Sequence, residues 1–462
     1  MSIDFPKNWK QVVLEDALDA LIDYRGKTPK KVDKGIPLIT AKVVKSGRIL
    51  PMDEFIADED YESWMVRGIP QISDIVVTTE APLGEVAQIK NANVALAQRI
   101  VTLRGKVDFL ENDFLLFLMQ SDFVQNQLEA RATGSTVKGI KQSELRKIIL
   151  PIPPIVEQKC IGKILSDLDD KIHLNNQINQ TLESIAQAIF KSWFIDFDPV
   201  RAKITAKREG KDTELAAMCV ISGKSQEELK QMSKDDFAEL QASAALFPDE
   251  LVETELGEVP KGWDKYSLSK MITLIGGGTP KRSEPNYWNG DIFWFSVKDV
   301  PNEGEVFVIT TQEKISELGL NKSSTKLLPV GTTIITARGT VGKIALVGYE
   351  MAMNQSCYGV QGINGVRQFM TYYLIKNAVE VLKKNTHGAV FDTITQSTFD
   401  TVTSIKPSIE MMDLFESKVE KIMGHIKNNL YENNSLIALR DTLLPKLLSG
   451  EIDVSGLQGE VA

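Results

Sequence analysis

Residues Ile155 to Phe194 read IVEQKCIGKILSDLDDKIHLNNQINQTLESIAQAIFKSWF and follow a Pro151-Ile152-Pro153-Pro154 breaker. Their inward positions step by alternating fours and threes: Ile161, Leu165, Leu168, Ile172, Asn175, Asn179, Leu182, Ala186, Ile189, Trp193. Such a 3.5-residue spacing keeps one narrow stripe facing a partner helix. A lone helix cannot bury that stripe. Moving on by 254 residues supplies the partner, Phe415, Val419, Ile422, Ile426, Asn429, Asn433, Leu436, Arg440, Leu443 and Leu447, with both asparagines at the same seam positions. The spacing predicts two 40-residue helices, 155–194 and 409–448. Packed antiparallel, their centres coincide, so Asn175 should face Asn433 and Asn179 should face Asn429; a parallel pair would set Asn175 by Asn429. Buried asparagines of this kind specify register at some cost in stability.

The offset of 254 recurs outside the helices, with small shifts expected of loops, which makes the chain an internal repeat. Pro6-Lys7-Asn8-Trp9 returns as Pro260-Lys261-Gly262-Trp263, and Ile36 to Lys42 answers Ile292 to Lys298. Gly26-Lys27-Thr28-Pro29-Lys30 answers Gly277-Gly278-Thr279-Pro280-Lys281, and Thr133-Gly134 with Ile140 answers Thr386-His387-Gly388 with Ile394. Ile72–Ile89 and Val330–Val347 alternate as strands do, and each copy adds one amphipathic helix, about 112–132 and 365–385. The fold class expected is mixed, α+β: two pseudo-symmetric α/β domains (1–150 and 257–406) separated by two long antiparallel coiled-coil helices (151–200 and 407–454), with a connector at 201–256 and a tail at 455–462. The connector, without a counterpart in the repeat, reads as partly helical around Ser225 to Leu246. Neither domain shows βαβ alternation with a Gly-rich first turn, so no nucleotide-binding fold is expected.

Net charge is −9, which at first disfavours a nucleic-acid partner. Its distribution reverses that reading. Residues 1–150 carry −1 and residues 257–406 carry +3, so the remaining segments hold −11. Acidity belongs to the scaffold, and the domains are free to meet an anion. No apolar run approaches the ~20 residues of a membrane span and Met1-Ser2-Ile3-Asp4 opens no signal-peptide pattern, so a cytoplasmic location is expected. Cys160, Cys219 and Cys357 stand singly, with neither disulfide nor zinc spacing.

Catalytic signatures are missing from the sequence. Gly339-Thr340-Val341-Gly342-Lys343 lacks the spacing of a phosphate loop and reads as a turn between strands. Of the three histidines, His173 and His425 fall on the long helices and His387 in a turn, which leaves no Ser/His/Asp set. Pro248-Asp249 has no Glu-x-Lys to complete a metal nuclease centre, and no Asn/Asp-Pro-Pro-Tyr/Phe methyltransferase motif occurs. Binding signals are instead spread over matching loops. Lys27, Thr28, Lys30, Lys31, Lys34, Lys42, Lys45 and Arg48 cluster early in the first domain, with Lys138 and Lys141 in its later turn. Thr279, Lys281, Arg282, Lys298, Arg338 and Lys343 occupy the corresponding loops of the second, where the offset puts Pro82 near the counterpart of Arg338. Lys and Arg neutralise phosphates, whereas Ser, Thr, Asn and Arg also read base edges.

This duplicated domain-plus-helix chain, with its Pro-Lys-Gly-Trp and Gly-Gly-Gly-Thr-Pro openings, resembles the specificity (S) subunit of type I restriction–modification systems. Ile152-Pro153-Pro154-Ile155-Val156-Glu157-Gln158 is similar to that family's junction between target recognition domain and spacer helix, and Phe197 to Arg201 with Leu256 to Pro260 resemble its central region. The resemblance implies a non-catalytic subunit that binds double-stranded DNA and reads a split, asymmetric target, one half per target recognition domain. It implies no cofactor in this chain. S-adenosylmethionine would belong to methyltransferase (M) subunits, expected to number two, and ATP and Mg to restriction (R) subunits. No membrane partner is implied. A pure protein adaptor built on the same coiled coil is the alternative, and salt-sensitive duplex binding separates the two.

Overall fold

The computed structural model describes residues 5–26, 28–45, 47–134, 137–254, 257–385 and 393–457. Its chain divides into two compact units, residues 1–172 with 434–462, and residues 173–433. The fold is mixed α/β, and its sheets are repeated.

In the first unit a four-stranded sheet has the order Leu18–Asp23, Ile100–Gly105, Ile75–Thr79, Leu83–Gln88. All five residues of Ile75–Thr79 are buried. Successive side chains of a strand point to opposite faces, and here both faces are covered. Val77, Val86, Val101 and Leu103 pack toward Phe114, Phe117 and Leu165, whereas Val76, Ala87 and Ile100 pack toward Leu38, Ile39 and Leu96. The second cover comes from a three-stranded sheet, Phe55–Ile56, Ile36–Ile39, Ala95–Leu96, whose last pair is parallel. Lys10–Val13 pairs antiparallel with Ile149–Ile152.

The second unit repeats each of these. Ile272–Gly276, Cys357–Gly362, Thr333–Thr336 and Ile344–Val347 form the sheet, extended by the parallel strand Phe307–Val308. Glu313–Ile315, Trp288–Phe295 and Met351–Met353 form the cover, again with a parallel last pair. Asp264–Ser267 pairs with Thr403–Lys406, at 254 from the first unit's pair. Trp9 and Trp263 close the same turn, their N–H groups donating to Pro6 and Pro260 carbonyls at 2.9 and 3.0 Å.

Two elements differ from the sequence expectation. The span 112–132 holds two helices, Asn112–Gln120 and Asp122–Arg131, because Ser121 takes an extended conformation. Its hydroxyl donates to the Leu118 carbonyl at 2.6 Å and accepts from Val124 N–H, ending one helix and capping the next. The connector also carries more helix than Ser225 to Leu246. Asp198–Arg208, with Pro199 in its first turn, and Thr213–Ser222, capped by Asp212, precede Gln226–Lys230 and Lys234–Ala245. Lys203 belongs to the basic run that opens this segment, Arg201 to Lys211. It is buried, its Nζ 2.8 Å from Glu214 and 2.8 Å from the Phe247 carbonyl.

The long helices are Ile155–Phe194 and Ile409–Ser449, and each is divided between the units. In the first unit Ile161 and Leu165 share a core with Leu447 and Leu448. In the second, Ala186, Phe190, Trp193 and Phe194 share one with Phe415, Val419, Met423 and Ile426. Phe190 and Phe194 both lie against Phe415, ring centroids 5.8 and 5.2 Å away. Asn175 meets Asn433 and Asn179 meets Asn429, so numbering rises along one helix as it falls along the other and the pair is antiparallel there.

Candidate nucleic-acid interface

Of the first unit's candidates, Lys27 lies outside the described residues. Thr28, Lys30, Lys31, Lys42, Lys138 and Lys141 are exposed. Three of them hold carboxylates: Lys31 to Glu54 at 2.7 Å, Lys42 to Asp53 at 2.8 Å, and Lys138 to Glu129. The hydrogen bond from Lys42 keeps the Asp53 carboxyl below its ordinary range, and Asp53 raises Lys42 in turn. Such solvent-exposed pairs are worth little.

Lys141 differs, because it lines a cleft of about 350 Å³ with Arg25, Thr79, Gln98, Arg99 and Gly139. The cleft is made by chain crossings. The strand Leu18–Asp23 delivers Arg25, whose guanidinium donates to the Ile140 carbonyl at 2.7 Å and lies 3.5 Å from Asp23. Ile140 N–H donates to Thr79 at 2.9 Å, Glu80 bridges to Gly139, and Arg99 pairs with Glu80 at 2.8 Å. Ala81 and Arg99 both have positive φ, 50° and 71°, a strain that clusters at functional sites in other proteins. Three cations against one cleft carboxylate suit a polyanion. Sequence reading passed over Arg25 and Arg99; only the glycine beside Arg25 hinted at a turn, while Arg99 stands alone.

In the second unit, the loop Gly278 to Arg282 is pinned by two indoles. Trp294 Nε1 donates to the Gly278 carbonyl at 3.0 Å and Trp288 Nε1 to the Lys281 carbonyl at 3.3 Å. The Arg282 guanidinium stacks 3.8 Å from the Trp288 ring centre and 5.2 Å from that of Trp294, and both its terminal nitrogens engage Glu313. Arg282, and secondarily Lys298, hold the Glu313 carboxyl below its usual range. Lys281 pairs with Glu284 at 3.4 Å, and Thr279 hydrogen-bonds Gln355. Arg338 and Lys343 are exposed on a separate loop, where Arg338 bridges to Thr393 and Lys343 N–H donates to Thr336 Oγ1 at 2.9 Å. Ile394 N–H donates to Ala337 as Ile140 does to Thr79, so the counterpart of Arg338 is Glu80 and not Pro82. Loop lengths between the paired strands differ, which misleads a fixed offset. The turn containing His387 lies outside the described residues.

The asparagines form a buried ladder. Asn175 Nδ2 donates to Asn433 Oδ1 at 2.9 Å and to Glu432 at 2.8 Å, Asn433 Nδ2 to Asn176 at 2.7 Å, and Asn429 Nδ2 to Asn179 Oδ1 at 2.8 Å. Asn175, Asn179 and Asn433 are 1%, 0% and 5% exposed. Among the described residues no group of three or more His, Cys, Asp or Glu side chains is placed to hold a metal ion.

A family model described as the type I restriction modification DNA specificity domain matches residues 6–184 and 260–411. The specificity subunit of the type I restriction enzyme HindI of Haemophilus influenzae is 34% identical over 376 residues, covering 78% of this chain and 82% of that protein. The MjaIX specificity subunit of Methanocaldococcus jannaschii is 24% identical over 464 residues, 98% and 95% of the two chains. Among solved structures, the S subunit of a type I restriction–modification system from M. genitalium is similar in fold, with a TM-score of 0.52, 14% identity, and coverage of 97% of this chain and 98% of that one.

Proposed function

This chain belongs to the type I restriction–modification DNA specificity family, a family of non-catalytic recognition subunits, and from that premise we propose that its two repeated domains each read one half of a split duplex target. The observation that carries this reading is repetition with exchanged charge: one topology occurs twice, yet the loop position held by Glu80 in one copy is Arg338 in the other. Two copies of one reader with different side chains suit an asymmetric target. Thr28, Lys30, Lys31, Lys42, Lys138 and Lys141 in one domain, and Thr279, Lys281, Arg282, Lys298, Arg338 and Lys343 in the other, are the proposed DNA-facing residues.

Bond making and breaking belongs to partners in this reading. Methyltransferase subunits, two of them, bring S-adenosylmethionine, and restriction subunits bring ATP and Mg; all work in the cytoplasm. No helix among the described residues is long and apolar enough to cross a membrane. Asn175, Asn179, Asn429 and Asn433 fix the register of the long helices, which we assign as the ruler for the unread gap. One heptad added to each helix lengthens it by about 10 Å. The preferred gap should then grow by about three base pairs, at ~1.7 Å of duplex per charge and two charges per pair.

An electrophoretic shift with a random duplex pool, with and without partner subunits, tests the reading. Binding should weaken steeply with salt, because each neutralised phosphate releases counterions. Exchange of residues 1–150 for those of a relative with another specificity should change one half of the selected target. Change in both halves, or in neither, rejects the modular reading; salt-insensitive absence of duplex binding favours the protein adaptor.

A further inference from the structure

Strand register aligns the two domains residue by residue at the cleft. Thr78 faces Ile100 in one sheet and Thr336 faces Cys357 in the other. Two residues before each stands a glutamine, Gln98 and Gln355. Likewise Val101 faces Asp23 and Tyr358 faces Gly276, which makes Gly278 the counterpart of Arg25. Arg99 answers to Ser356, and Glu80 to Arg338. The glutamine stands at the same register position in both domains. Charge is what changes around it: Arg25, Arg99, Lys141 and Glu80 line the first domain's cleft, whereas the second domain places Arg338 where the first has Glu80.

We propose that Gln98 and Arg99 in the first domain, and Gln355 and Arg338 in the second, are base-reading side chains, the glutamine shared and the arginine moved to the opposite wall of the cleft. The inference rests on the DNA-reading function above and names the residues that carry it. A glutamine amide presents a donor and an acceptor that match adenine N6 and N7, and a guanidinium matches guanine O6 and N7. Arg99 is presented by a backbone at φ 71° and is aimed by Glu80 at 2.8 Å. Thr279, hydrogen-bonded to Gln355, orients the second glutamine. Moving the arginine from one wall to the other shifts which base it reaches, so two copies of one cleft read different sequences.

The test selects bound sites from a random duplex pool at one fixed salt concentration, using the full chain with its partner subunits. Gln98→Ala and Arg99→Ala should each relax preference at one or two positions of a single half-site and weaken binding to the selected sequence about ten- to a hundredfold. Gln355→Ala and Arg338→Ala should do the same in the other half-site alone. Unchanged selection overturns the proposal. So does a uniform loss on every duplex with a shallower salt dependence, which marks a phosphate contact. A wild-type chain that fails to bind duplex takes the proposed function down with it, whereas wild-type binding with unaltered variants removes only these residues. Gln98→Glu and Arg99→Met keep comparable side-chain bulk, remove the adenine and guanine matches, and give the same readout should an alanine variant fail to fold.

Discussion

Asn175 donates its side-chain amide to Asn433 across the long helices at 2.9 Å, with both residues almost fully buried. Asn429 and Asn179 repeat the contact one turn away at 2.8 Å, which leaves the buried Asn179 Nδ2 without an acceptor. An apolar seam tolerates sliding by a heptad, whereas a slid asparagine would face a leucine and lose its bond at about 1–3 kcal/mol. In the proposed reading the ladder selects one register at some cost in stability.

Replacing all four, Asn175, Asn179, Asn429 and Asn433, with leucine should raise the melting temperature while light scattering detects oligomers or mixed registers. A fall in melting temperature would count against this account. Asn433→Ala alone should lower it by several degrees, because Asn175 and Asn176 both lose a partner.

Arg440 occupies a seam position in the first unit and pairs there with Asp169 at 2.8 Å. The repeat sets Ala186 and Met423 at the same two positions of the second unit, both fully buried. Asp169→Ala should destabilise the chain by about 1–2 kcal/mol, since a half-buried guanidinium loses the more buried of its two carboxylates and keeps only Asp441. Asp169→Met with Arg440→Ala, which copies the apolar pair, should restore wild-type stability or exceed it. Urea midpoints of the three proteins decide; equal losses in the single and double variants would show that the pair contributes packing alone.

Much of the scaffold was legible because helical periodicity is local. Ile161 to Trp193 announced the first long helix, and the return of paired asparagines at one offset identified its partner. The cleft was not legible, since Arg25, Glu80, Arg99 and Lys141 come from four separate segments and meet only through strand register. Lys203 was misleading for the opposite reason: its charge suggests solvent, and the acceptors that bury it, Glu214 and the Phe247 carbonyl, are 11 and 44 residues away. Ser121 broke a helix that apolar spacing carried straight through.

Gly450 has φ 74°, and a Cβ there would stand 2.2 Å from Pro6 Cγ and 3.4 Å from a Trp9 ring carbon. Gly210 has a similar φ of 67° with open space around it. Alanine at Gly210 should cost about 1 kcal/mol of left-handed strain, whereas Gly450→Ala should cost that plus the displacement of Pro6 from its turn with Trp9. Thermal melts should therefore separate the two, with Gly450→Ala the lower. Equal shifts would mean that the Pro6 turn yields without resistance.

Glu416 on the second long helix lies at the start of Gln368–Asn385, its carboxylate accepting from Phe369 and Met370 N–H groups at 3.2 Å. Burial raises its carboxyl above the ordinary value of 4.5, against the lowering effect of these two N–H groups and of Arg367, with Glu420 adding a small rise. Because the folded value exceeds the unfolded one, the unfolded chain gives up this proton first as pH rises. The folded state then binds more protons, so this group's contribution to stability is fully present below about pH 4.5 and is lost as pH climbs through the raised value. Glu416→Gln keeps an acceptor for one N–H and removes the titration. The wild type should therefore gain on the variant as pH is lowered from 7.5 toward 4.5 (roughly the ordinary glutamate range), as read from urea midpoints measured along that series. A difference that stays flat across it would show that the carboxyl titrates as it does in the unfolded chain, and that the N–H groups of Phe369 and Met370 compensate its burial in full.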